Sequence, residues 1–236
     1  MKKILIYSLS IMVVAGAAIS CKKTSKGKMS NDWELDSWSE TTTDVNDDGD
    51  RSVRTREASG SNFTVTYSQT DIGEPTTTTS ISGTLNDFSY TIEKDGNWSR
   101  DFSYTLTYSE TQGGIETDYV EKVEISESGT WNFLGNVDEF KKNERVVFNT
   151  LRATETTDLT STYEFAGETE TENSTTTETL TYNDGDMADI MVVVESKRKE
   201  LQMESTKEMS SSESTDSSVA ETYSISVDTE ISLTQE

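Results

Sequence analysis

The stretch 102-FSYTLTY-108 decides the fold, because large apolar residues alternate in it with small polar ones. Phe102, Tyr104, Leu106 and Tyr108 take every second position, and serine or threonine fills the positions between them. Side chains of a β-strand point alternately to its two faces, so this pattern predicts a strand with one face in a core and one in water.

The same period of two recurs along most of the chain. It appears in five further groups of residues: Phe63/Val65/Tyr67, Phe88/Tyr90/Ile92, Ile115/Tyr119/Val123/Ile125, Leu159/Tyr163/Phe165 and Tyr223/Ile225/Val227/Ile231/Leu233. Short turn signals separate the groups: Asp48-Gly49, Asp95-Gly96, Gly113-Gly114, Ser128-Gly129, Gly135-Asn136 and Asp184-Gly185. Sequential hairpins of this kind predict an antiparallel meander.

About ten strands in a single domain, residues 31–236, define the expected fold class. We predict an all-β, up-and-down meander barrel, since closure removes the exposed sheet edges of a threonine-rich protein. A two-sheet β-sandwich would show the same alternation and stays open as an alternative.

Residues 187–209 favour two strands around a turn at 197–199, with Leu201 and Met203 inward, over one helix. Residues 210–218 are low in complexity and are expected to form a mobile loop.

The first twenty residues predict an export signal. Met1-Lys2-Lys3 carries positive charge, an uncharged apolar run follows, and small residues lead to Cys21. The apolar run is shorter than the roughly 20 residues of a membrane-spanning helix. The order 18-AISC-21 resembles the lipobox of bacterial lipoproteins, which implies cleavage before Cys21 and lipid on its sulfur. Residues 21–30 are then the lipidated cysteine and a flexible tether.

The lipobox resemblance also implies a location. Lys22, not aspartate, follows the cysteine, and by analogy with enterobacterial lipoproteins this favours the outer membrane. Whether the protein faces the periplasm or the cell surface stays open. The expected partner is thus a membrane, through the lipid anchor, and the oligomeric state is not determined by the sequence.

Charge and composition exclude several classes of function. The 236 residues include 44 acidic and 20 basic ones and no histidine, for a net charge of −24. Such a surface repels nucleic acid and attracts cations. The lack of histidine removes the commonest general base and every histidine-based metal site. We therefore predict a protein that is not an enzyme and has no cofactor, apart from a candidate calcium loop.

That candidate loop is 44-DVNDDGD-50. Asp44, Asn46 and Asp48 stand at positions 1, 3 and 5 of a calcium loop, and Gly49 stands at position 6. Position 12 is Thr55, which cannot supply the usual bidentate carboxylate. The alternative is a hairpin turn, because asparagine and aspartate also stabilise turns.

Several motifs resemble the lipocalin-like lipoproteins of Bacteroidota. An early tryptophan strand, 31-NDWELDSW-38, follows the tether, although Asn31 stands where that family's Gly-x-Trp signature has glycine. A second strand, 129-GTWNFLG-135, has the Gly-x-Trp spacing, and 143-NERVVF-148 follows it. The resemblance implies a meander barrel that holds a small apolar ligand.

The expected function is therefore binding of a small apolar or amphipathic ligand inside the barrel. Phe102, Tyr104, Leu106 and Tyr108 are the predicted lining. One alternative is a structural or interaction protein of the envelope, its barrel filled by its own side chains. Another is a glycan-binding protein that uses a partly exposed tryptophan; Trp98, just after the turn at Asp95-Gly96, is the candidate, whereas Trp33 and Trp131 are expected in the core.

Overall fold

A computed structural model describes residues 7–8, 26–134, 144–165, 168–214 and 220–235. One helical turn, α1 (Lys26–Met29), precedes the main sheet. The strands are β1 (Tyr7–Ser8), β2 (Asn31–Val45), β3 (Arg51–Ser59), β4 (Asn62–Thr70), β5 (Thr77–Ile92), β6 (Asn97–Gln112), β7 (Ile115–Leu134), β8 (Glu144–Phe165), β9 (Glu168–Thr181), β10 (Ala188–Ser196), β11 (Glu200–Ser214) and β12 (Ala220–Thr234).

The strands form one closed antiparallel sheet. From β2 to β8 each strand pairs with the next, β10 pairs with both β8 and β11, and β12 pairs with both β11 and β2. This last pairing closes the ring, so the predicted meander barrel is confirmed and the sandwich alternative is wrong. β9 pairs with β8 beside the ring, and β1 pairs with β11 at Ser210 and Met209.

The barrel is narrower at the end where β2 begins. There Asn31–Trp33 of β2 pairs directly with Tyr90–Ile92 of β5, which leaves the β3–β4 hairpin out of the ring. Eight strands remain, and the interior of an eight-stranded barrel is just wide enough for side chains to fill. Met29 of α1 is fully buried at this end, and its carbonyl oxygen accepts a 2.8 Å hydrogen bond from Trp33 Nε1. The end of the predicted tether therefore packs onto the barrel.

The sheet widens toward the opposite end. The β3–β4 hairpin enters the ring between β2 and β5. Residues 144–149 of β8 pair with β10, whereas residues 152–165 of the same strand pair with β9. Every residue of β9 is exposed.

The core follows the period-two pattern. Trp33, Trp131 and the predicted inward residues Leu201 and Met203 are buried, and residues 188–214 form β10 and β11, so the two-strand prediction for 187–209 is confirmed. Residues 210–214, expected in a mobile loop, instead continue β11; residues 215–219 lie outside the described part of the chain. Phe63 and Tyr104 stack with centroids 3.9 Å apart.

β-Bulges change the register at points that alternation does not reveal. In β2, Ser37 and Leu35 oppose Ser232 and Leu233, so Asp36 is an extra residue. This bulge allows Trp33 and Trp38 both to face inward although five positions separate them.

A second bulge overturns one predicted turn. Ser128-Gly129 lies inside β7, not in a loop, and Leu151 of β8 is the unpaired residue beside it. A Cβ atom at Gly129 would lie 1.8 Å from the carbonyl oxygen of Asn149. Glycine stands here because the two backbones approach closely. The turn predicted at Gly135-Asn136 lies outside the described residues.

Candidate functional site

The interior of the barrel contains a cavity of about 170 Å³. All eight strands that pair at the narrow end contribute to its lining, whereas β3 and β4 contribute nothing. Five lining residues are charged: Glu40, Arg100, Glu127, Asp189 and Lys207. We call this space, defined by those five residues, the ion-pair cavity.

The charged residues of the cavity are paired. Arg100 Nη2 on β6 lies 2.5 Å from Glu127 Oε2 on β7. Lys207 on β11 contacts Asp189 on β10. Glu40 on β2 contacts Arg56 on β3, whose guanidinium lies over the ring of Trp38 at 5.6 Å from its centroid.

The side chains of the ion pair Arg100 and Glu127 are only partly accessible to solvent. About a quarter of the Arg100 side chain and a fifth of the Glu127 side chain remain accessible. Burial is the largest single effect and lowers the pKa of the Arg100 guanidinium, but Glu127, Tyr90 and Glu40 together outweigh it, and the pKa is raised overall. Burial also raises the pKa of the Tyr90 hydroxyl, although Arg100 offsets part of this effect. At neutral pH the cavity therefore holds a charged guanidinium beside a neutral phenol.

Lys207 is the second cation that lines the cavity. Burial lowers the pKa of its ammonium group, and the charges of Glu40 and Glu127 offset this effect only in part. Its side chain is one-third accessible, and that of Asp189 is 42% accessible. This pair is therefore more open to water than the pair of Arg100 and Glu127.

Aromatic and apolar side chains form the rest of the wall. Trp98 and Phe148 meet edge to face, with centroids 5.5 Å apart, and Met191, Val227 and Ile231 complete the apolar surface. Trp98 was the tryptophan expected to be partly exposed, but it is 5% exposed and its Nε1 donates to the Asn149 carbonyl oxygen at 3.2 Å. It packs inward because residues 98, 100 and 102 share the inward face of β6.

A second, larger concavity lies on the outside of the barrel. Its volume is about 600 Å³, and its polar lining includes Glu57, Glu204 and Glu230. Glu204 and Glu230 are direct cross-strand neighbours. Burial raises the pKa of Glu204, and Glu230 raises it further. Like charges in this position destabilise a sheet.

The four predicted ligand-binding residues pack mainly against their neighbours. Phe102, Tyr104 and Leu106 are each less than 8% exposed, and Phe102 lies 5.2 Å from Trp38, centroid to centroid. Tyr108 is half-buried and stacks on Tyr119 at 5.1 Å. They line neither the ion-pair cavity nor the outer concavity.

The candidate calcium residues lie in the β2–β3 hairpin. Asp44 pairs with Ser52 within the sheet, and Asp48 is exposed in the turn. The Asn46 side-chain oxygen accepts a 2.9 Å hydrogen bond from the Asp50 backbone. Asp50 in turn accepts one from the Ile72 N–H at 3.0 Å. The segment thus forms the turn of the β2–β3 hairpin, and calcium binding there is left to the titration described below; within the described ranges no group of three acidic, histidine or cysteine residues is placed to hold a metal ion.

Sequence reasoning missed all five charged residues of the cavity, although a signal was present. Arg100 has the same parity as Trp98 and Phe102, and Lys207 has the parity of Leu201 and Met203. A charge at an inward position of a strand marks a polar interior. Cys21, the predicted lipidation site, lies outside the described residues.

Comparisons with known proteins add no assignment. No helix in the described part of the chain is both long and apolar enough to cross a membrane. Searches against protein-family models, curated proteins and solved structures find no match to the chain.

Proposed function

We propose that the protein is a non-catalytic, lipid-anchored lipoprotein of the outer membrane whose barrel binds a small amphipathic ligand in the ion-pair cavity. The observation that carries this proposal is the presence of charged pairs inside a barrel whose remaining interior is mainly aromatic and aliphatic.

An ion pair loses hydration free energy when it is placed in a protein interior, and the attraction between its charges often does not offset that loss. Replacing a buried pair by apolar side chains of similar volume is often neutral or stabilising, by about 1 to 4 kcal/mol. Arg100 and Glu127 therefore contribute little to the fold that apolar residues could not supply. Perturbed ionisable groups gathered in a cavity are a typical feature of functional sites.

The cavity wall has two chemical halves. Arg100, Glu127, Asp189 and Lys207 supply fixed charges, whereas Trp98 and its neighbours supply apolar surface. A ligand with one polar and one apolar part would contact both halves. This favours an amphipathic ligand over the purely apolar one that the sequence also allowed.

The size of the cavity limits the ligand to a small molecule. An engineered apolar cavity of about 150 Å³ binds benzene, and the volume here is about 170 Å³. A monocyclic or short branched molecule has a suitable volume, whereas a long acyl chain does not.

The anchor is proposed from the lipobox resemblance at Cys21. Four residues separate Cys21 from the Lys26–Met29 turn at the narrow end of the barrel. The narrow end would then face the membrane. Acyl mass on Cys21 in the mature protein, measured by mass spectrometry, tests this part of the proposal.

A binding titration tests the ligand site. Benzyl alcohol, a small amphipathic probe, should change the tryptophan fluorescence of the wild-type protein with saturation, because Trp38 and Trp98 line the cavity. Ser205→Phe places a large side chain in the cavity from a position that is 7% exposed, and it should abolish the response.

The matched control is Ser89→Phe, an exposed serine on β5, which should respond like the wild type. Equal responses of all three proteins would place the probe elsewhere. A wild type that responds neither to benzyl alcohol nor to the charged probes described below would reject the binding proposal and favour a structural role in the envelope.

A further inference from the structure

The charges of the ion-pair cavity and of their ion-pair partners balance one another. Among the five lining charges, the cations Arg100 and Lys207 contact the anions Glu127 and Asp189. The third lining anion, Glu40, contacts Arg56 of β3, which is not part of the lining. This balance contrasts with the chain as a whole, whose net charge is −24. With Arg56 counted, the cavity and its ion-pair partners are thus electrically neutral inside a strongly acidic protein.

A ligand with a single net charge fits this arrangement poorly. An added carboxylate would compete with Glu127 or Asp189 for a cation and leave one anion unpaired, and an added ammonium would leave one cation unpaired. An unpaired charge in a low-dielectric interior is costly. The acidic surface also repels anions before they reach the barrel.

A ligand without any charge fits poorly for a different reason. It would displace water from Arg100, Glu127 and the more exposed pair of Lys207 and Asp189, whose side chains are one-third and 42% accessible. Those charged groups would lose hydration and gain no charged partner in return.

We infer that the natural ligand of the ion-pair cavity is a small zwitterion with an apolar side group, of the free amino-acid type; this inference rests on the proposed function. Its ammonium would meet the carboxylates of the cavity and its carboxylate the cations, so each charge keeps an opposite neighbour. Its side group would lie against Trp98 and Phe148. A zwitterion adds no net charge, and it replaces the displaced water with charged hydrogen-bonding groups.

A matched series of four probes tests the inference by isothermal titration calorimetry on the wild-type protein. Leucine is the zwitterion. 4-Methylpentanoate lacks its ammonium, 3-methylbutylamine lacks its carboxylate, and 4-methylpentanamide is uncharged; all four carry the same isobutyl group. We expect leucine to bind at least tenfold more tightly than each of the others.

Two variants connect this preference to the cavity. Asp189→Asn and Lys207→Gln each remove one charge from the more accessible ion pair, so both should fold, as cooperative thermal unfolding would show. We expect each variant to weaken leucine binding about tenfold or more. Asp189→Asn should also reduce the preference for leucine over 4-methylpentanoate, and Lys207→Gln should reduce the preference for leucine over 3-methylbutylamine. Lys122→Gln, on an exposed outer ion pair, should leave leucine binding unchanged.

The outcomes separate the inference from the proposed function. If any other member of the series binds as tightly as leucine, or if Asp189→Asn and Lys207→Gln bind leucine like the wild type, the zwitterion inference is wrong while the ligand site stands. If the four probes and benzyl alcohol all fail to bind, the proposed function fails as well.

Discussion

Arg100 and Glu127 face each other across β6 and β7 inside the barrel, with Nη2 2.5 Å from Oε2. Because breaking a buried pair leaves a charge uncompensated, Glu127→Gln should lower the free energy of unfolding by about 3 kcal/mol. Urea denaturation measures this change.

The double variant Arg100→Met/Glu127→Leu supplies the control for that experiment. It removes both charges at similar volume, so we expect unfolding free energy close to that of the wild type, or above it. If the double variant is as unstable as Glu127→Gln, the pair is part of the stability of the fold, and the argument that it is kept for binding loses its basis.

The close approach of β7 and β8 at Gly129 predicts a strong effect of a single methyl group. Gly129→Ala would force Cβ against the Asn149 carbonyl oxygen, and overpacking of this kind costs about 1 to 3 kcal/mol. Thermal unfolding should show a clearly lowered melting temperature. A wild-type melting temperature would mean that the strands separate easily at the bulge.

Gly83→Ala offers a second site with the same geometry. There a Cβ would lie 2.1 Å from the Thr105 carbonyl oxygen, so a similar loss is expected. Gly60 has open space around it but a φ of 56°, and Gly60→Ala should cost less, about 1 kcal/mol, from backbone strain alone.

The outer concavity predicts a pH-dependent stability. The pKa of Glu204 lies above its usual 4.5 in the folded protein, so its contribution favours folding below that pH and is lost as the pH rises through the folded-state pKa. Glu204→Gln should therefore raise stability at pH 7 by a few tenths to about 1 kcal/mol and leave it unchanged near pH 3.

The control for that prediction is Glu208→Gln on the same strand, because Glu208 lies opposite Ser226 and not opposite a carboxylate. It should change stability at neither pH. An equal gain from Glu204→Gln at both pH values would show that charge repulsion is not the cause.

The β2–β3 turn predicts the opposite pH dependence. The Ile72 N–H and Asn46 lower the pKa of Asp50 below 3.8, so its contribution is present above that pH and lost as the pH falls through the folded-state pKa. Asp50→Ala should lower the melting temperature at pH 7, with a smaller difference near pH 2.

The same turn makes a prediction about calcium. Because Asn46 already bonds to Asp50 within the turn, we expect no heat from titration with millimolar calcium. A saturable signal that is lost in Asp48→Ala would make 44–50 a calcium site after all.

The alternation of residues such as Phe102, Tyr104 and Leu106 was enough to predict an antiparallel barrel, because period two is a direct consequence of strand geometry. It could not predict the bulge at Asp36 or the strand interior at Gly129. A bulge depends on how two strands approach each other, and the sequence of one strand does not show where the neighbouring strand lies. Glycine at 129 was read as a turn for that reason.

The candidate site was predicted less well than the fold. The barrel interior was expected from the apolar residues, yet the cavity lies where Arg100 and Lys207 interrupt the apolar pattern. Their parity placed them inside, but each ion-pair partner lies on the other strand of a hairpin, and alternation within one strand does not determine the register between the two strands. Asp189 meets Lys207 only through the β10–β11 hairpin.

The measurement that tests the central claim most directly is a crystal structure of the protein soaked separately with benzyl alcohol and with leucine. The account predicts density for a small molecule in the ion-pair cavity, with its polar atoms toward Arg100, Glu127, Lys207 or Asp189 and its apolar part against Trp98 and Phe148. A cavity that contains only water at saturating concentrations of both probes would contradict it.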